Sequence, residues 1–174
     1  MRISMYQASA VTFVHILSNL DNCLKKAAAY AVSRNIDPTV LVNARLYPDM
    51  FPLTRQVQIA SDQAKGCVAR LSGNEPPRFE DDEKTFEELH ARIAKTIAYV
   101  KSMKPEQIDG SEDRKIEIKT RDGVRTYQGL GYLLDSVLPN FYFHVVTTYA
   151  ILRHNGVDVG KTDFLGDIPK VPRS

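Results

Sequence analysis

The chain has 174 residues, with 23 Lys and Arg against 21 Asp and Glu, for a formal charge of +2. A chain of this length fits one domain, 1–174, and buries roughly 70% of its unfolded surface in a single core without disulfides. Charge so nearly balanced sets up no field that selects nucleic acid or an anionic membrane, and neither is expected as a partner.

The two cysteines, Cys23 and Cys67, fall inside helical patterns and are expected as buried thiols of a reducing compartment rather than as a disulfide. The N-terminal MRISMYQASAVTF lacks an apolar core followed by a small-residue cleavage site, and no apolar run reaches the ~18 residues of a membrane span. A soluble, cytoplasmic protein is the expectation.

From Ser4 to Arg34, Phe13, Ile16, Leu20, Leu24, Ala27 and Ala31 recur at spacings of three, four and seven, which gathers them on one face of a long helix. His15 falls on the outer side of that helix and reads as a surface residue. Asp37 before Pro38 has the form of an N-cap and first helical position, opening a short turn through Asn43. The prolines of Tyr47-Pro48-Asp49-Met50-Phe51-Pro52 hold off regular helix until Pro52 opens the next one.

In this second long helix Leu53, Val57, Ala60, Ala64, Cys67 and Leu71 form a narrow apolar seam, with Gln56 on its inward shoulder. Gln58 and Asp62 are predicted on the far, solvent side. The helix ends at Gly73-Asn74-Glu75-Pro76-Pro77, and the acidic run Glu80 to Glu83 is expected to be solvated loop. Thr85 and Glu88 have capping-box spacing and start a third helix that ends before Pro105, with His90 on its shoulder.

Between Arg114 and Tyr127 the apolar period changes to two, and Arg121-Asp122-Gly123 supplies a hairpin turn. A last helix is predicted from about Gly129 to the stop at Asn155-Gly156, with Leu134, Leu138, Phe141, Val145 and Leu152 on its inner face and a bend at Pro139. Residues 157–174 are expected as a surface tail. The fold class is therefore all-α, an up-down four-helix bundle with a short β-hairpin before the last helix.

Bundle sites form where several helices direct polar groups to one point in the core. On the last helix His144 lies at one edge of the apolar stripe, Asn140 slightly further round and Thr148 nearer the middle; with Gln56 they are candidates to line one pocket. Tyr47, Asp49 and Tyr142 are candidates for its opening. Phe143 and Val146 project from the opposite side, so this helix is expected to be covered by the tail, the hairpin or a second subunit, and a homodimer is the expected assembly. His154 caps the helix end.

The Asn140-x-x-x-His144 spacing ahead of Leu152-Arg153 and Gly156 resembles the last helix of the DinB/YfiT-like superfamily of metalloenzymes. The segments Asn43 to Leu53, Leu138 to His144 and Asp163-Phe164-Leu165-Gly166 are similar to a branch of it known as a bacterial domain of unknown function. The resemblance covers nearly the whole chain and implies a DinB-like bundle. It also implies a divalent metal such as nickel or zinc, held in the superfamily by three histidines, and transfer or isomerisation of a small thiol. His144 matches the second histidine of the last helix, Asn140 stands in place of the first, and Gln56 aligns with the histidine of the second helix. Two carboxamides thus replace imidazoles, and an amide is a far poorer ligand for such metals.

Two functions follow. One is a small-molecule transferase or hydrolase in which His144 is a metal ligand or general base and Gln56, Asn140, Thr148, Asp49 and Tyr142 bind substrate. The other is a non-catalytic dimeric bundle, ligand-binding or structural, in which Gln56, Asn140 and His144 form a satisfied hydrogen-bond cluster.

Overall fold

The computed structural model describes residues 3–168. The chain runs through a π-helical segment Gln7–Val11, α1 (Thr12–Ser33), α2 (Pro38–Val42), α3 (Leu53–Leu71), α4 (Phe86–Ser102), α5 (Pro105–Ile108), β1 (Lys115–Thr120), β2 (Gly123–Gln128), α6 (Gly129–Gly131), a second π-helical segment Tyr132–Val137, α7 (Leu138–His154) and α8 (Lys161–Leu165). The long helices pack α1 on α4, α4 on α3, α3 on α7 and α7 on α1. No described helix is long and apolar enough to cross a membrane.

The local signals act as their chemistry requires. Asp37 Oδ1 accepts from the Thr39 amide at 2.9 Å, and in the capping box Thr85 Oγ1 accepts from the Glu88 amide at 3.2 Å while Glu88 Oε2 accepts from the Thr85 amide at 3.1 Å. The strands pair antiparallel with Thr120 opposite Gly123, so Arg121 and Asp122 form a two-residue turn. The α7 helix closes at Asn155, and the Val157 amide bonds back to the Leu152 carbonyl at 3.1 Å. Both cysteines are free and buried; burial pushes the Cys23 thiol up to about 11 and the Cys67 thiol higher still.

A plain four-helix outline omits two features. The helix through Gly129–His154 has a π-helical stretch just before Pro139, which lacks the N–H that an α-turn needs. Each wide turn shifts the phase of the faces that precede it, so Leu133 and Val137 are buried whereas Leu134 is exposed. Residues after the stop are not all surface tail: Val157 and Val159 are fully buried, and α8 packs on α1. His15 is half-buried rather than free, its Nε2–H donating to the Leu165 carbonyl at 2.8 Å. Asn19 donates to the Phe164 carbonyl at 3.1 Å. Gly166, at φ 63°, lies so near Asn19 that a Cβ there would sit 2.2 Å from its Oδ1. Part of the predicted tail, residues 169–174, lies outside the described residues.

The third correction concerns the acidic loop. Arg92 on α4 has a side chain only 1% exposed, and its guanidinium meets Asp62 at 2.8 Å, Asp81 at 2.9 Å and Glu83 at 2.9 Å. Gln58, predicted on the solvent side, is buried and donates to Glu83 at 2.8 Å, while Arg55 pairs with Asp81. Phe79 sits under the ammonium groups of Lys95, 4.1 Å from the ring centroid, and Lys65, 4.9 Å away. The loop before α4 is thus fastened to α3 and α4 by a buried cation and its counter-ions. Removing that cation alone leaves carboxylates facing one another. Arg92→Ala should lower stability by about 3 kcal/mol and the melting temperature by roughly 10 °C in a thermal unfolding scan; a change within experimental error would show that the pairs are worth no more than surface contacts.

A histidine–glutamine pair between two helices

The α3–α7 interface is close because its α3 side is built of small residues: Ala60, Ala64 and Cys67 are fully buried there. At one end of the seam two polar side chains replace hydrocarbon. Gln56 is 1% exposed and His144 8% exposed. The His144 ring nitrogen Nδ1 lies 2.6 Å from Gln56 Oε1, and Gln56 Nε2 donates to the Phe51 carbonyl at 3.0 Å.

This chain of bonds fixes the proton positions. A backbone carbonyl only accepts, so the nitrogen of the Gln56 amide faces Phe51 and its oxygen faces the imidazole. The oxygen also only accepts, so Nδ1 carries the hydrogen and Nε2 keeps the lone pair. Nε2 has no hydrogen-bond partner among the described residues. Nor is it among their buried unpartnered atoms, so the lone pair reaches solvent. Burial, followed by the positive charge of Arg55, holds the imidazole below its ordinary pKa of 6.5. The ring of Phe143 stands edge-on, 5.2 Å from that of His144. The result is a neutral, oriented base with one available nitrogen.

The other candidates separate. Thr148 is fully buried and its hydroxyl is spent on the His144 carbonyl at 2.9 Å. Asn140 is exposed, makes no hydrogen bond to either member of the pair, and lines a cleft with Arg70, Tyr132 and the hairpin. Tyr142 is half-buried against Phe141, with ring centroids 5.6 Å apart, and two positions along a helix point to different sides. Asp49 and Tyr47 are exposed in the connector before α3. The structure thus joins Gln56 to His144, and among the described residues Asn140, Asp49 and Tyr142 make no hydrogen bond to either.

Sequence reasoning missed the Phe51 carbonyl and Arg55. The first had a signal: Gln56 needs an acceptor for its amide hydrogens, and the proline-interrupted connector leaves carbonyls unused by helix. The donor set does not fit a three-ligand metal centre. The Gln56 oxygen is occupied by Nδ1–H, Asn140 faces elsewhere, and among the described residues no group of three or more His, Cys, Asp or Glu is placed to hold a metal ion. His144 remains as a lone imidazole donor.

The lowered pKa of His144 has a definite sign in stability. Above the unfolded value, near pH 6.5, both states hold the ring neutral and its contribution is complete. As pH falls through that value toward the lower folded one, the unfolded chain takes up a proton that the folded ring refuses, and stability is lost. In denaturant unfolding, the advantage of the wild type over His144→Gln should be constant above neutrality and shrink steadily below about pH 6.5. A difference that grows on acidification would reverse the assignment.

A family profile described as a domain of unknown function, DUF1993, matches residues 5–165. No curated protein matches the chain. Among solved structures, the fold is similar to the crystal structure of a DinB family member protein from Shewanella denitrificans. The TM-score is 0.88, with 40% sequence identity over 96% of this chain and 95% of that one. The chain belongs to the DUF1993 family and has a DinB-like fold.

Proposed function

We propose that this is a small-molecule transferase or hydrolase built on an up-down bundle of α1, α3, α4 and α7, in which His144 acts as a general base without a metal. The observation that supports this reading is the hydrogen-bond chain from the Phe51 carbonyl through Gln56 to Nδ1 of His144. The bond fixes the ring and leaves Nε2 without a protein partner among the described residues, which is the arrangement a general base requires. Nε2 would take the proton from a thiol or hydroxyl as its sulfur or oxygen attacks an electrophilic carbon. The imidazolium so formed would keep its Nδ1–H on Gln56, and because Gln56 is neutral and Arg55 stands nearby, it would return the proton readily to the leaving group. Gln56 is then a positioning residue.

The test is turnover by tag-free protein of nitrophenyl esters and of a small thiol with chlorodinitrobenzene. His144→Ala should reduce any rate above background by about 100-fold or more. Gln56→Leu should lower the rate less and move the acid limb of the pH profile, which in the wild type should lie below the ordinary imidazole value of 6.5. Rates that survive His144→Ala would remove the base from the mechanism.

A second reading, a non-catalytic dimeric bundle, is favoured by one specific feature. Phe143 is 56% exposed and Val146 48% exposed on α7, apolar side chains on the face turned away from α3. If two copies associate through that face, sedimentation should give a dimer for the wild type and a monomer for Phe143→Glu, with the fold unchanged by circular dichroism. A wild-type monomer at all accessible concentrations rejects that assembly.

A further inference from the structure

A polar concavity lies between α3, the hairpin and the π-helical start of the last helix. It encloses about 310 Å³ and is lined by Gln63, Arg70, Arg125, Tyr127, Tyr132 and Asn140, among others. Its charge balance is unusual. Neither Arg70 nor Arg125 forms an ion pair among the described residues. Asp62, which also borders the cleft, is already engaged by Arg92 and by Lys65 at 2.8 Å each. Arg70, half-buried, and Arg125, exposed on the hairpin, therefore line one small space with no ion-pair partner among the described residues.

Two of the donors of the cleft hold each other in place. Tyr132 is 2% exposed, and its hydroxyl oxygen accepts from Arg70 Nη1 at 3.0 Å. The hydroxyl's own hydrogen has no acceptor among the described residues, so a buried O–H is left to donate. Gly66, an interior residue of α3, makes the arrangement possible. A Cβ there would stand 2.7 Å from Arg70 Nη1, so the bare backbone leaves room for the guanidinium where it meets Tyr132.

We propose that this cleft binds a small oxyanion, the carboxylate or phosphate group of a compact metabolite, through Arg70, Arg125 and the Tyr132 hydroxyl, with the Asn140 amide as a further donor. Guanidinium groups match planar or tetrahedral oxyanions with paired N–H donors, and an additional hydroxyl donor completes the set. The volume lies at the lower end for ligand pockets and suits a compact molecule. The site is independent of chemistry at His144, because anion binding and turnover are separate readouts.

Titration of the full chain with inorganic phosphate and, separately, acetate at low ionic strength tests this, followed by calorimetry and by arginine side-chain resonances. One of the two anions should bind in the millimolar range or tighter and weaken with added salt. Arg70→Met and Arg125→Met should each reduce affinity by about tenfold or more. Tighter phosphate binding assigns a phosphate ligand, tighter acetate binding a carboxylate. Should Arg70→Met fail to fold, Gly66→Ala is the second variant: it keeps the charge, displaces the guanidinium and should lower affinity with the melting temperature unchanged or raised. No binding of either anion, or equal binding by the arginine variants, overturns the proposal.

Discussion

Helix α3 is enclosed on most of its sides, yet it carries Gln56, Gln58, Asp62 and Lys65 as well as its apolar seam. A polar group shielded from water costs free energy unless another protein group replaces the water, and this requirement organises the rest of the molecule. Gln56 is met by His144 and the Phe51 carbonyl. Gln58 is met by Glu83 and Arg55, and Asp62 by Arg92 and Lys65. Arg55 and Lys65 belong to α3 itself, and the other partners come from four different elements, so satisfying one helix ties down α7, α4, the connector before α3 and the loop before α4.

The same requirement explains which parts of the fold were legible in the sequence. Signals contained within a few residues read correctly: the Asp37 cap, the Thr85–Glu88 capping box, the two-residue hairpin turn and the stop after His154 each need only neighbours. The apolar seam of α3 was equally plain, because Leu53, Val57, Ala60, Ala64, Cys67 and Leu71 share one stripe and all are buried. A single stripe, however, assigns everything opposite to water. Gln58 was misplaced on that ground, since its partner Glu83 lies 25 residues further along, whereas the Asp62 side chain stays 37% exposed while it pairs with Arg92, 30 residues on. Nothing local in the run Glu80 to Glu83 distinguishes a solvated acidic loop from the counter-ions of a buried arginine.

The wide turns before Pro139 hid a second set of facts. Projecting the last helix as an unbroken α-helix carries the inner face of α7 back onto Leu134, but the π-helical stretch rotates what lies before it, and Leu133 and Val137 are buried instead. The same stretch buries Tyr132, which puts its hydroxyl beside Arg70. The candidate site was thus half legible: the Gln56–His144 pair follows from regular α-helical phase within α3 and α7, whereas the Arg70–Tyr132 contact depends on an irregularity that no hydrophobic period reports.

Helical geometry also accounts for the separate fates of three residues four apart on α7. Four residues of α-helix turn through 400°, so each step of four rotates a side chain by about 40° relative to the one before. Thr148 falls in the middle of the buried face and spends its hydroxyl on the helix backbone. His144, one step round, stands at the edge, buried enough to lose its proton readily and open enough to present Nε2. Asn140, two steps round, has left the α3 interface for the cleft beside Arg70. The Gln56–His144 bond is one of the contacts that pack α7 against α3. That bond and the cleft that Asn140 lines therefore lie on different sides of α7.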